Sequence, residues 1–547
     1  MKTKLLYTPK YAKELTPEQL LGNAAIPPLG IASITAALRN NGYNCDQDDL
    51  NIKVAYDNAH KTRKHVDLSI FENIQKINKF IEQKQDIELE EEAEKILKKT
   101  KYKGYDLIGL SILEEVNPSS ISMALALSKV IKEKTGSDVL LGGINYPRPI
   151  TEINDFLQAG LVDYVSMGDG ESRLLDLCYA LENNKLKKFG VRSVFSKKID
   201  NKKPAIDEYD DKYFRFQRPD FTGLPLNLYR FKWKKGLPLS RTNILALPYV
   251  FVKGCTYNCI FCPASKATDP QINEIQQVVS DLKYLSKKYK TKQFFFINST
   301  INPSYDYAKQ FVKEIKKEDV DIMWADCANF KGIDSKLLKG LKDAGAIKLL
   351  FGIESASEKM QKYILKNIDI NKASQILKES HELGIWNEIE LIAGMPYETD
   401  EDIKNTINFV KVNQDYLDYC YLNPFRLVDS LLLKKPEVFR ITNIKDIMEN
   451  SSDVKWFSRQ FDETRGLKWK QKEKQILKSY NTIRKATDSI VNHKQQYFPG
   501  WDIRLMFYLY SVYDNKQEIL DYFKEKNQKK QSYLDQVKYG ISKIRKN

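Results

Sequence analysis

The chain has 547 residues, 42% hydrophobic and 29% charged, which at about 150 residues per domain predicts three or four water-soluble domains. Its net charge of +15 does not point to nucleic acid. The lysines run the whole length and alternate with acids, as from Lys309 to Glu318, the pattern of a solvated surface. Seven cysteines, an odd number with three clustered, read against a disulfide framework and fit a reducing, cytoplasmic setting.

No stretch of about eighteen apolar residues is available to cross a bilayer. The start, Met1 to Tyr7, lacks the apolar segment of a signal peptide. No membrane partner is expected.

Residues 1–190 alternate strand and helix. Lys4 to Tyr7 reads as a strand. Pro27-Pro28-Leu29-Gly30 opens a helix, Ile31 to Asn40, which Gly42 ends. Asn44 to Leu50 is a polar second strand, and Leu68 to Lys101 a charged helical excursion. The apolar Asp106 to Leu113 is a buried strand, and Ser119 to Thr135 a helix. Asp138 to Leu141 is a strand ending in Gly142-Gly143. Asp163 to Met167 precedes Gly168-Asp169-Gly170-Glu171 and a helix to Glu182. This rhythm predicts a doubly wound, Rossmann-like α/β sheet with ligands beyond its carboxyl ends, where the glycine turns fall.

Residues 191–242 read as a connector, dense in charge from Lys197 to Tyr213 and turn-rich from Arg218 to Pro225. Residues 243–427 read as six strand–helix units, a parallel partial barrel with its site at the carboxyl ends. The strands are Asn243–Val252, Gln293–Ser299, Ile322–Ala328, Ile347–Ser355, Asn387–Gly394 and Tyr416–Pro424. Thr399 with Asp402 predicts a helix cap. Residues 428–547 read as a helical domain punctuated by Trp456, Trp469 and Trp501, with a turn at Phe498 to Trp501. Its expected role is to close the barrel's open side; a packing appendage is the alternative.

After the first barrel strand comes Lys253-Gly254-Cys255-Thr256-Tyr257-Asn258-Cys259-Ile260-Phe261-Cys262-Pro263. Three cysteines stand at C-x-x-x-C-x-x-C. Thiolates so spaced hold iron–sulfur clusters, and three of them leave one iron of a four-iron cluster open. A zinc site wants four closed ligands, and the fourth would have to come from far along the chain. Three buried structural cysteines are a further alternative.

The triplet resembles the radical S-adenosylmethionine (SAM) superfamily. The resemblance implies a [4Fe-4S] cluster on Cys255, Cys259 and Cys262, and SAM on the open iron, split by an electron into methionine and a 5′-deoxyadenosyl radical. Phe351-Gly352-Ile353-Glu354-Ser355 resembles the family's fourth-strand element, whose Glu354 and Ser355 would meet SAM. Glu390 to Thr399 resembles the fifth-strand element, and Phe261 would lie near the adenine. Where many members carry Gly-Gly-Glu, this chain has Asn298-Ser299-Thr300, so Asn298 and Ser299 would supply the polar contact. A reductant such as flavodoxin or ferredoxin is implied as partner.

Residues 1–190 resemble the cobalamin-binding domain ahead of many such barrels. Pro28, Gly30, Gly142, Gly143, Gly168, Gly170 and Glu171 would line the cofactor, glycines admitting a close approach. The D-x-H-x-x-G ligand motif is absent, so the cobalt would lack a histidine; a scaffold without cofactor is the alternative. The expected function is a cobalamin-dependent methyltransferase acting on an unactivated carbon of a peptide or small natural product. The rival is a cobalamin-independent epimerase or cyclase with Cys420 donating a hydrogen atom; Cys327 is the other barrel thiol. A non-catalytic cluster-bearing scaffold is a third reading.

Overall fold

The computed structural model describes residues 1–13, 15–83, 85–112, 118–144, 156–187, 190–191, 193–199, 205–206, 216–230, 244–266, 270–428, 430–446, 459–492, 503–513, 515–521 and 525. The expected Phe498–Trp501 turn, Trp456 and the terminal stretch 538–547 lie outside them. Two compact units emerge. Met1–Arg230 makes up nearly all of the first, and Val250–Asn450 with Phe457–Asn547 nearly all of the second. No helix among the described residues is long and apolar enough to cross a membrane.

In the first unit, β1 (Lys2–Tyr7), β2 (Asn44–Asp49), β3 (Leu107–Ser111), β4 (Asp138–Ile144) and β5 (Tyr164–Met167) form a parallel sheet in the order β2-β1-β3-β4-β5. That order reverses direction between β1 and β3, the place where doubly wound sheets hold ligands. Short strands from Gly190 to Ile206 extend the β5 edge. Helices α1 (Pro17–Asn23), α2 (Leu29–Asn40), α3 (Leu50–Ala59), α4 (Ile74–Gln83), α5 (Ile87–Leu97), α6 (Pro118–Thr135) and α7 (Gly170–Glu182) fill the crossovers. The charged excursion is thus two helices, whose apolar stripes join the core under β3 through Phe80, Leu89 and Ile96.

The polar sequence of β2 is explained by its edge position, where charge blunts strand pairing. Asp46 accepts from Tyr105 (2.7 Å) and Asp48 pairs with Lys53 (2.5 Å). Residues 216–230 of the expected connector lie on this edge. Gln47 Nε2 donates to the Asp220 carbonyl (2.5 Å), Arg39 pairs with Asp220 (2.7 Å), and the Tyr229 hydroxyl donates to Asp49. Phe221 and Tyr229 are buried there.

In a second sheet, β6 (Ala246–Tyr249), β7 (Gln293–Phe296), β8 (Met323–Ala328), β9 (Ala346–Glu354), β10 (Trp386–Ala393) and β11 (Tyr419–Pro424) lie in sequential order, all but β6 wholly within the second unit. The β7 to β11 pairings are parallel. Helices α8 (Ile275–Tyr289), α9 (Tyr305–Lys317), α10 (Ser335–Asp343), α11 (Glu358–Tyr363), α12 (Ile370–Glu382) and α13 (Asp400–Val412) alternate with the strands. Thr399 and Asp402 form the expected capping box of α13. Outward residues Phe296 and Trp324 stack with centroids 5.3 Å apart, and both meet Phe311 of α9 edge-on. Alternation then turns Cys327, Lys348, Gly352, Glu388 and Glu390 to the barrel's inner face.

The C-terminal region, expected to be helical, opens with a one-turn helix, Leu431–Lys434, and then carries an antiparallel strand pair, β12 (Ile441–Asp446) and β13 (Arg459–Glu463). Helices α14 (Trp469–Ile490) and α15 (Ile503–Val512) follow.

Candidate active site

The cysteine loop is a bracketed excursion. A two-residue antiparallel ladder, Val252–Lys253 with Gln271–Ile272, brings its ends together. Its body is tied to loops at the carboxyl end of the barrel. Thr256 Oγ1 donates to the Pro303 carbonyl (2.8 Å) after β7, and the Tyr257 hydroxyl to the Lys331 carbonyl (3.2 Å) after β8. Ile260 N donates to the Ile364 carbonyl (3.2 Å) after β9, and its own carbonyl accepts from Leu432 N (2.9 Å) after β11. Cys259 is buried, and Cys255 and Cys262 are half-buried. Burial pushes the Cys259 thiol up to about 11, with Lys366 working against it. Among the described residues, no three His, Cys, Asp or Glu side chains converge on a single metal ion. Cysteines that each take a different iron of a cluster need no such convergence.

At the end of β9 stands Glu354, in the left-handed region at φ 61. Its carboxylate is buried. Oε1 accepts from Lys366 Nζ at 2.6 Å, and Oε2 is buried with no hydrogen-bond partner among the described residues. Burial pulls the Lys366 pKa down, but Glu354 and Cys259 outweigh it and hold it above its ordinary value. Gly352 lies beneath this pair. A Cβ there would meet Lys366 Nζ at 2.6 Å and Glu354 Oε1 at 2.5 Å. Gln361 fixes the turn, donating to the carbonyls of Ile353 (2.8 Å) and Ser355 (2.5 Å) and accepting from Ile368 N (3.1 Å). Glu390 completes the inner face, accepting from Asn423 Nδ2 at 2.9 Å. Burial raises its pKa to about 7, and Glu354 adds to the rise. Phe261 packs in an apolar cluster with Met360, Met395 and Phe425.

Cys255, Cys259, Cys262, Phe261, Glu354 and Glu390 thus gather at one end of the barrel, with Lys366, Gln361 and Asn423 added. Two expected contacts point elsewhere. Asn298 Oδ1 accepts from both Phe251 N (2.8 Å) and Val252 N (2.9 Å), and its Nδ2 donates to Asp326 (2.7 Å). Its amide braces the barrel's first turn instead of facing a ligand. The exposed hydroxyl of Ser299 stays open. Ser355 is buried with Oγ 3.2 Å from Thr406 Oγ1 of α13, so alternation turns it to the helix layer. Cys420 is corrected too. It is the second residue of β11, buried, with its backbone N and O bound by Asn492 at 2.9 and 3.1 Å. The carboxyl end, at Pro424, is about 13 Å further along the strand. The half-buried Cys327 is the thiol near that end, its pKa pushed to about 12 by burial and by Asp326.

In the first unit the expected cofactor residues divide. Among the described residues, a Cβ at Gly30 or Gly142 would meet nothing within 4 Å. Gly142 and Gly143 lie within β4, not after it. Gly143, at φ 88, is required by the Ile112 carbonyl, whereas a Cβ at Gly170 would meet only the flexible end of the Ile34 side chain, at 2.6 Å. Pro28 precedes α2, Gly168 turns after β5 at φ 80, and Glu171 is buried in the first turn of α7. The loops after β3 and β4, residues 113–117 and 145–155, lie outside the described residues.

Residues 249–410 match the radical SAM superfamily. The barrel is a radical SAM domain. Such a domain implies a [4Fe-4S] cluster and SAM. The chain is 25% identical over 330 residues to an uncharacterized methyltransferase of Pyrococcus horikoshii, covering 58% of this chain and 67% of that protein. It is 26% identical over 353 residues to the anaerobic magnesium-protoporphyrin IX monomethyl ester cyclase of Rubrivivax gelatinosus, covering 60% of this chain and 56% of the cyclase. Its fold is similar to that of the radical SAM methyltransferase TsrM of Kitasatospora setae, solved with cobalamin and a [4Fe-4S] cluster (TM-score 0.55, 14% identity, 88% of this chain and 91% of that chain). The likeness to TsrM speaks to the fold alone.

Proposed function

We propose that this chain is a radical SAM methyltransferase that uses cobalamin. The observation that carries the radical SAM part is the three-cysteine loop facing the buried Glu354, whose Oε2 has no partner among the described residues. An unmatched buried carboxylate oxygen is costly and marks a place for a donor from outside. Cys255, Cys259 and Cys262 would hold the cluster, and Glu354 would accept from the amino or hydroxyl groups of SAM. Lys366 keeps Oε1 engaged so that Oε2 is presented in one orientation. Phe261, half-buried, would offer an apolar face to the flat ring of the same ligand, backed by the fully buried Met395. Glu390, with its raised pKa, would stand protonated in part near neutrality and can donate a hydrogen bond as well as accept one.

The cobalamin part is supported by the sheet order with its reversal between β1 and β3, and by the space that the described residues leave above Gly30 and Gly142. It also draws on the cobalamin bound by TsrM and on the methyltransferase name of the Pyrococcus relative. Bound to the chain, the cluster would supply an electron for SAM cleavage and cobalamin a carrier for the methyl group. A peptide or small natural product remains the substrate class proposed.

Anaerobically purified full chain should carry about four irons and four sulfides and should form 5′-deoxyadenosine from SAM and a reductant. It should also bind cobalamin without an axial histidine, visible as the base-off absorption spectrum. Cluster without cobalamin uptake would end the methyltransferase reading. A zinc-loaded, colourless protein would end the radical SAM assignment of the cysteines.

A further inference from the structure

The radical SAM match ends at residue 410, yet the loop after β10 is held by side chains well beyond it. Lys472 Nζ, from the first turn of α14, donates to the Met395 carbonyl at 2.7 Å and pairs with Glu463 at 3.0 Å. Glu463 Oε1 accepts from Tyr397 N at 2.8 Å, and Gln475 Nε2 donates to the Glu398 carbonyl at 2.7 Å. Inside the loop, Gly394 N donates to Glu398 Oε2 at 2.7 Å. Gly394, at φ 85, lies against the α14 backbone, where a Cβ would stand 2.6 Å from Ile476 Cα.

The Lys472 side chain is 0% exposed and Glu463 4%. A methionine in that position would pack without the desolvation cost of an ammonium. What the ammonium adds is direction. It fixes one carbonyl of the loop and, through Glu463, the amide of Tyr397, a non-glycine residue at φ 63. Strained backbone of this kind persists only where its surroundings over-determine it, and it gathers at ligand sites. The held residue is the informative one. Met395 shares its apolar cluster with Phe261, which stands directly before Cys262.

We propose that Lys472 is a positioning residue for SAM, holding the Met395–Tyr397 backbone as one wall of the pocket beside the cysteine loop. This rests on the radical SAM reading above and extends the pocket's machinery into the C-terminal region.

The test uses reconstituted full-length protein and SAM as probe. Affinity is read by equilibrium dialysis, and geometry by the change SAM makes in the electron paramagnetic resonance spectrum of the reduced cluster. Lys472→Met should retain iron and sulfide loading but bind SAM about tenfold more weakly or worse, the usual cost of losing an outer-shell partner. The double variant Lys472→Met/Glu463→Gln removes both buried charges, so its fold no longer carries an unpaired ion. Its SAM affinity should stay low. Gln475→Ala removes no charge, only the bond to the Glu398 carbonyl and the one its Oε1 accepts from Lys472 Nζ (2.7 Å), and should show a smaller loss of affinity.

Wild-type affinity in the double variant, or an unaltered SAM-induced spectrum in Lys472→Met, would make Lys472 a mere brace and overturn the proposal. A wild type that takes up no cluster and binds no SAM would bring down the parent reading and this one together.

Discussion

Glu354 meets two demands that oppose each other. Its left-handed backbone and its buried charge both cost free energy. Gln361 answers the first, by holding the carbonyls on either side of it. Lys366 answers the second, with side chains 8% and 5% exposed across a 2.6 Å pair. Removing one member of such a pair is worse than removing both, since it leaves the other charge buried alone. Lys366→Met should therefore lose about 3–5 kcal/mol of stability in anaerobic urea unfolding. Lys366→Met/Glu354→Gln should recover part of that loss while still failing to bind SAM. Equal stability of wild type and single variant would show that the pair is not buried as described. Asn298 gives the reverse lesson: an amide at a promising place is silent once its acceptor and one amide hydrogen are engaged within the fold.

Edges pose the problem at the scale of the element. β11 is the last strand of its sheet, and an unpaired edge invites association. Asn492, just beyond α14, caps it at Cys420. Its Oδ1 accepts from the Cys420 amide and its Nδ2 donates to the same residue's carbonyl. A single side chain thus imitates a neighbouring strand for one residue. Asn492→Ala should cost about 1–3 kcal/mol, the range for orphaned buried backbone groups. The variant should also scatter more light on standing at moderate temperature; unchanged stability and solubility would assign the edge's protection to other residues. At the opposite end of α13 the capping box does a comparable service. Asp402 also binds Ser357 (2.5 Å) and Lys359, so the helix start and the loop after β9 are fixed together.

At the scale of the molecule, the chain forms two units with separate sheets, each parallel through its main strands. In the second unit, the region after residue 428 is integral to the barrel. It supplies Lys472, Glu463 and Asn492, as well as Lys516, whose ammonium lies 2.6 Å from Asp418 with side chains 4% and 5% exposed. Ending the chain after Asp446 would take Lys516 from Asp418, leaving the Asn387 amide (2.7 Å), and Lys472 from the Met395 carbonyl, leaving the Glu398 amide (3.1 Å). Such a truncation should move most of the protein into the insoluble fraction and abolish cluster loading in what remains. Full solubility with normal iron content would mean that the region is an appendage after all.

Apolar periodicity sufficed to place most strands and helices of both sheets. Repeats of 2 and 3.6 are local properties, set by how a side chain leaves the backbone. The cysteine triplet was legible for the same reason, since its ligands lie within eight residues of one another. Side-chain direction was less accessible. Strand limits shifted by one to three residues, and a shift of one residue turns a side chain to the other face. Placing the start of the last strand at Tyr416 instead of Tyr419 made Cys420 seem closer to the mouth than it is. The partners Lys366–Glu354 and Lys472–Met395 were invisible because they meet only through the fold, 12 and 77 residues apart in sequence. A lysine on a charged chain reads as surface until the tertiary structure shows that no water reaches it. Only packing decided which charges were buried, because burial depends on what the rest of the chain brings alongside.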